Sequence, residues 1–156
     1  MKIYLDNAAT TPVAKEVLEV MLPYFSEKFG NASSIHSYGR EAKEAIEKSR
    51  EKIAKKLNAE PGEIIFTSGG TESNNWALKG VALAGKNLKD GGKPHIITTK
   101  IEHSCVLNSA KFLEKNGFEV TYIDVDKYGL VETEKFEEAI RKDTILATVI
   151  HGNNEI

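Results

Sequence analysis

Glu63-Ile64-Ile65-Phe66-Thr67-Ser68-Gly69-Gly70-Thr71-Glu72 is the stretch on which the fold turns. Its first five residues are short, apolar and rich in β-favouring side chains, which predicts a strand over 63–67. From Thr71 to Ala84 the apolar residues Trp76, Leu78, Val81 and Leu83 predict a helix. Ser68-Gly69-Gly70 therefore lies at a strand-to-helix junction. A helix start carries unpaired N–H groups and a partial positive charge. Two glycines let the backbone come close to a ligand, and the Ser68 and Thr71 hydroxyls add donors. The junction suits a phosphate. It equally suits a plain glycine turn with Thr71 as the helix N-cap, and the stretch alone leaves both readings open.

The same alternation recurs on either side of this stretch. Helices are predicted over 14–25 and 39–57, the latter from Ala42, Ala45, Ile46, Ser49, Ile53 and Leu57 at helical spacing. Pro61-Gly62 breaks the chain before the strand 63–67. Lys86–Gly92 reads as a polar loop. Strands are predicted at 95–99, 119–123 and 144–150, with helices at 104–115 and 133–141. Asn116-Gly117 closes the helix 104–115. Strands alternating with helices predict an α/β fold: a mainly parallel sheet covered by helices on both faces, a three-layer αβα arrangement.

In such sheets ligands bind beyond the carboxyl ends of the strands. Three polar clusters fall there: Ser68–Glu72, Glu102-His103-Ser104 and His151-Gly152-Asn153-Asn154-Glu155. Their convergence points to a small-molecule site. His103 just precedes a helix and could stack on a planar ligand or move a proton near neutral pH, or be a plain helix-start residue. Asn154 can meet a ligand oxygen or serve as a turn asparagine. His36 and His151 are weaker candidates. Cys105 reads as a small buried residue of its helix.

Composition narrows the class. The chain has 156 residues and a net charge of −2, which gives no general attraction to nucleic acid or anionic membrane. No apolar run has the length of a membrane span, and residues 1–12 lack the pattern of a signal peptide. The lone cysteine cannot form an internal disulfide, which leads us to expect a cytoplasmic setting. The histidines and Cys105 lack metal-ligand spacing, so no metal is expected. The dinucleotide fingerprint and the Walker loop are both absent.

Five stretches together resemble the cysteine desulfurases of iron–sulfur cluster assembly, pyridoxal-phosphate enzymes of the class V aminotransferase group. They are Tyr4–Thr11, Gly30–His36, Phe66–Asn74, Glu102-His103 and His151–Ile156, in the family's order. Ala32 stands where proline is usual, Gly70 where alanine is frequent and Gly152 where valine is common. The resemblance implies a partial large domain of the pyridoxal-phosphate fold type I, aspartate aminotransferase-like, over 13–156, with 1–12 as an N-terminal arm. It implies pyridoxal 5′-phosphate as cofactor, with Gly70 and Thr71 on the phosphate and His103 stacked on the ring and shuttling protons. Asn154 would meet the ring hydroxyl. It further implies removal of sulfur from L-cysteine to give L-alanine and an enzyme persulfide. The sulfur then passes to an iron–sulfur scaffold or sulfur-carrier protein, and the complete enzyme would be a homodimer. The family's Schiff-base lysine and nucleophilic cysteine are expected beyond Ile156, so that this N-terminal part would be inactive alone. A selenocysteine lyase, another class V enzyme, or a non-catalytic half that binds a complementary chain are the alternatives.

Overall fold

The computed structural model describes residues 2–7, 9–85, 92–153 and 155–156. The chain divides into two compact units, Met1–Phe66 and Thr67–Ile156.

The first unit is helical. The helix predicted over 14–25 is two pieces, α1 (Lys15–Met21) and α2 (Pro23–Ser26). Pro23 lacks the N–H that a continuous helix needs, and it opens α2 at a first-turn position where that lack costs little. α3 (Ser37–Leu57) starts two residues earlier than predicted, because the His36 ring caps it by accepting the Gly39 N–H. Asn58 ends it in the left-handed conformation, φ 53° and ψ 44°. The turn before α3 is tight. Asn31 Oδ1 accepts the Ser33 N–H at 2.9 Å, and a Cβ on Gly39 would lie 2.2 Å from the Ser34 carbonyl oxygen. Only glycine fits there.

The predicted strand 63–67 is not a strand. Pro61–Glu63 forms a single 3-10 turn, and residues 64–67 carry no ladder pairing. Ile64 is extended, at φ −95° and ψ 120°. The local propensity is therefore expressed, but a strand exists only through a paired neighbour, and among the described residues none lies beside it.

The second unit holds α4 (Gly70–Ala84), β1 (His95–Thr99), α5 (Ser104–Lys115), β2 (Glu119–Ile123), α6 (Thr133–Glu138) and β3 (Thr144–Ala147). α6 and β3 are both shorter than predicted. The polar loop predicted over 86–92 lies outside the described residues except for Gly92. The sheet has the order β2-β1-β3, and both pairings are parallel. This is the α/β class expected. β1 is central and buried along its whole length.

Ile96 packs with Ala82 of α4, and with Leu113 and Phe118 at the end of α5. A second cluster joins Leu78 of α4 to Cys105 and Val106 of α5. Both helices thus lie on one face of the sheet, and their first turns are brought toward the same edge. At the opposite edge the wholly buried His95 spans all three strands. Its Nδ1 meets Thr144 Oγ1 and its Nε2 meets Thr121 Oγ1, both at 2.8 Å. Arg141 forms a two-pronged pair with Glu119 beside it, at 2.7 and 3.0 Å.

Candidate cofactor site

The N-cap of α4 is Gly69, which places Thr71 inside the first turn rather than at the cap. No side chain caps this end. The first helical bond runs from Ser73 N–H to the Gly69 carbonyl, which leaves the Gly70 and Thr71 amides outside the helix ladder. A Cβ built on Gly69 or Gly70 meets nothing within 4 Å. The space over the helix start is open, so packing within this chain gives no reason for either glycine.

The Ser68 hydroxyl is not a free donor, contrary to the sequence expectation. Both its Oγ–H and its N–H go to Glu72 Oε2, each at 2.7 Å. These two bonds, the backbone one first, hold the Glu72 carboxyl below its ordinary range. Glu72 is one turn from the cap, and its charge is directed back onto Ser68. Thr71 remains exposed.

Gly70, Thr71, Asn74, His103 and Cys105 line one open cleft of about 350 Å³. Three of the residues singled out in the sequence thus meet. His103 is the N-cap of α5, and its Nδ1 accepts the Cys105 N–H at 3.1 Å. Cys105 is buried as expected, and its Sγ also lies 3.0 Å from His103 Nδ1 and 3.2 Å from Asn74 Nδ2. Behind these, Asn75 ties the two helix starts together. It donates to the Thr71 carbonyl at 2.8 Å and accepts the Ser109 hydroxyl at 2.9 Å.

The third cluster is anchored by residues that sequence reasoning left without a role. Glu102 is 7% exposed, and its Oε1 accepts the Thr99 hydroxyl at 2.8 Å and the Ile150 N–H at 2.7 Å. Asn153 Nδ2 donates to the Ile101 carbonyl at 2.7 Å. The segment after β3 is therefore pinned to the turn that carries His103. Asn154 itself lies outside the described residues. His36 caps α3 in the first unit, and His151 is exposed.

A parallel sheet, with an uncapped helix start and a histidine lining one cleft, defines an α/β protein. The aminotransferase class-V family profile matches residues 3–156. The chain belongs to that family. It is 59% identical over 155 residues to the cysteine desulfurase IscS of Dictyoglomus turgidum, covering 99% of this chain and 38% of the relative. It is 56% identical to the cysteine desulfurase IscS of Methanosarcina thermophila, covering 99% of this chain and 37% of that one. Among solved structures, a NifS-like protein superposes with a TM-score of 0.91 at 46% identity, over 100% of this chain and 42% of the other. The structure titled "SspA in complex with cysteine" superposes with a TM-score of 0.88 at 49% identity, over 98% and 43%. The chain thus spans about two-fifths of the length of the proteins it matches.

Proposed function

We propose that this chain is the phosphate-binding portion of a cysteine desulfurase that uses pyridoxal 5′-phosphate. The observation that carries the reading is the cleft shared by Gly70, Thr71 and His103, together with the cysteine desulfurase names of its relatives. The residues fit the group. The α4 start offers unclaimed amides, an exposed threonine hydroxyl and open space to a dianionic phosphate. When bound, this cofactor supplies an electron sink for chemistry at the carbon attached to the substrate amine.

The chain's own residues bind and orient. The Gly70 and Thr71 amides and the Thr71 hydroxyl hold the phosphate. The His103 ring covers the flat face of the ligand and holds a proton near it. Asn154, by resemblance, meets the ring hydroxyl. Asn74 and Asn75 keep the two helix starts at fixed separation through Cys105, Thr71 and Ser109. The proposed reaction takes sulfur from L-cysteine and leaves L-alanine, with an enzyme persulfide passing sulfur to a scaffold or carrier protein. A homodimer in the cytoplasm is part of the same proposal. No helix among the described residues is long and apolar enough to cross a membrane.

The test uses the protein encoded by the full reading frame. Alanine release from L-cysteine, dependent on added pyridoxal phosphate and abolished by Thr71→Val with His103→Gln, is the expected result. Alanine release from selenocysteine alone would move the reading to a selenocysteine lyase, and no release from either would overturn it.

A further inference from the structure

The hydrogen bonds around His103 have one consistent direction. Asn74 Nδ2 has only protons to offer, so at 3.2 Å from Cys105 Sγ it donates. The Cys105 backbone N–H also has only a proton to offer, and it points at His103 Nδ1 from 3.1 Å. Nδ1 is thereby an acceptor, with its lone pair directed at the first turn of α5. The Cys105 thiol, 3.0 Å from the same nitrogen, completes the pattern only by donating its S–H there. Asparagine to thiol, thiol to imidazole and amide to imidazole all place the lone pair on Nδ1. The neutral ring must then carry its proton on Nε2, which has no hydrogen-bond partner among the described residues.

We infer that the Cys105 backbone amide locks His103 in the Nε2–H tautomer, with the Cys105 thiol, held by Asn74, as a second donor to the same nitrogen. This rests on the proposed function for its consequence. In the resting cleft His103 can donate a hydrogen bond through Nε2 but cannot accept a proton there. To take up a proton it must use Nδ1. That displaces the Cys105 amide, which can only donate, and so uncaps α5, while the thiol turns from donor to acceptor. Proton uptake by His103 is therefore coupled to loosening of the helix start that carries it.

The test is read by nitrogen-15 NMR of the histidine rings in the 156-residue chain, above the pH at which the rings are neutral, with His103 assigned by its loss in His103→Gln. The lock predicts one tautomer, with Nδ1 in the pyridine-like region and Nε2 in the pyrrole-like region. Cys105→Ala keeps the amide donor, so it retains that tautomer and shifts Nδ1 only through loss of the thiol. Cys105→Pro removes amide and thiol together at a first-turn position that accepts proline, so His103 relaxes to the averaged mixture of an unconstrained histidine. A wild-type ring that already shows that mixture, or that carries its proton on Nδ1, overturns the inference. If Cys105→Pro fails to fold, the wild type and Cys105→Ala still decide. The measurement needs no cofactor, so a chain that binds none still answers it, and the failure of one reading is distinguishable from failure of the other.

Discussion

Glu102 accepts the amide of Ile150 at 2.7 Å across 48 residues of sequence, and the same oxygen accepts the Thr99 hydroxyl. One buried carboxylate thus joins the end of β1 to the segment that follows β3, one residue before His103. Glu102→Ala leaves a half-buried amide and a buried hydroxyl unpaired, and should cost about 2–4 kcal/mol. Glu102→Gln keeps an oxygen for both donors and should cost about 1 kcal/mol. Urea unfolding measures both. Equal losses would mean that the carboxylate fills space and that its bonds do not hold the edge.

The Thr98 hydroxyl is the opposite case. It is wholly buried and has no hydrogen-bond partner among the described residues. Valine has nearly the same shape without the polar atom. Thr98→Val should therefore stabilise the chain by about 1 kcal/mol, visible as a higher urea midpoint at unchanged slope.

Acid should loosen the sheet through His95. Burial, and then the Arg141 guanidinium, hold its imidazole below the ordinary 6.5, against weaker opposite pulls from Asp143 and Glu119. The folded chain binds this proton less readily than the unfolded chain, so protonation favours unfolding. The stability lent by neutral His95 is complete above the unfolded value of 6.5. It is lost as pH falls from there through the lower folded value. Melting curves between about pH 7.5 and pH 5.5 should show a steeper fall for the wild type than for His95→Gln. Parallel slopes would remove His95 from the account.

The α4 start separates folding from binding. A Cβ on Gly70 meets nothing, so Gly70→Ala should stabilise the helix by about 0.5–1 kcal/mol while keeping the amide proposed to meet a phosphate. Thr71→Val should leave stability nearly unchanged and weaken binding of a phosphorylated ligand about tenfold, the worth of one hydrogen bond to a charged group. Chemical unfolding and ligand titration on the same samples measure the two effects. A Gly70→Ala variant that loses binding would mean that the cleft lacks the space described.

Much of this was legible in the sequence. β1, β2, α4 and α5 follow from apolar runs and periodicity, because each buries its pattern within a few residues of chain. The convergence of Gly70, Thr71 and His103 was expected from a rule about parallel sheets, but the strand that rule assigned to Gly70 and Thr71 is unpaired, and it is the packing of α4 on α5 that brings them to one cleft. What was not legible depends on distant partners. The 63–67 run has strand propensity but no neighbour to pair with. Pro23 split a helix that the apolar spacing alone would continue. Glu102 reads as one member of a polar cluster with no role of its own, and only the fold brings the Ile150 amide to it. Ser68 looked like a donor for a ligand until Glu72 claimed it. A glutamate four residues on, at a helix start, was the one signal that could have shown this.

In the proposed site the start of α4 and His103 together hold the phosphate and ring of a pyridoxal-type cofactor. The most direct measurement is an amide and imidazole NMR titration of the chain with pyridoxine 5′-phosphate, which lacks the aldehyde and cannot form lysine adducts. Unphosphorylated pyridoxine serves as the comparison. Saturable shifts are expected at the Gly70 and Thr71 amides and the His103 ring with the phosphorylated ligand, and none at the two amides without the phosphate. Shifts centred elsewhere, or the same with and without phosphate, would contradict that site.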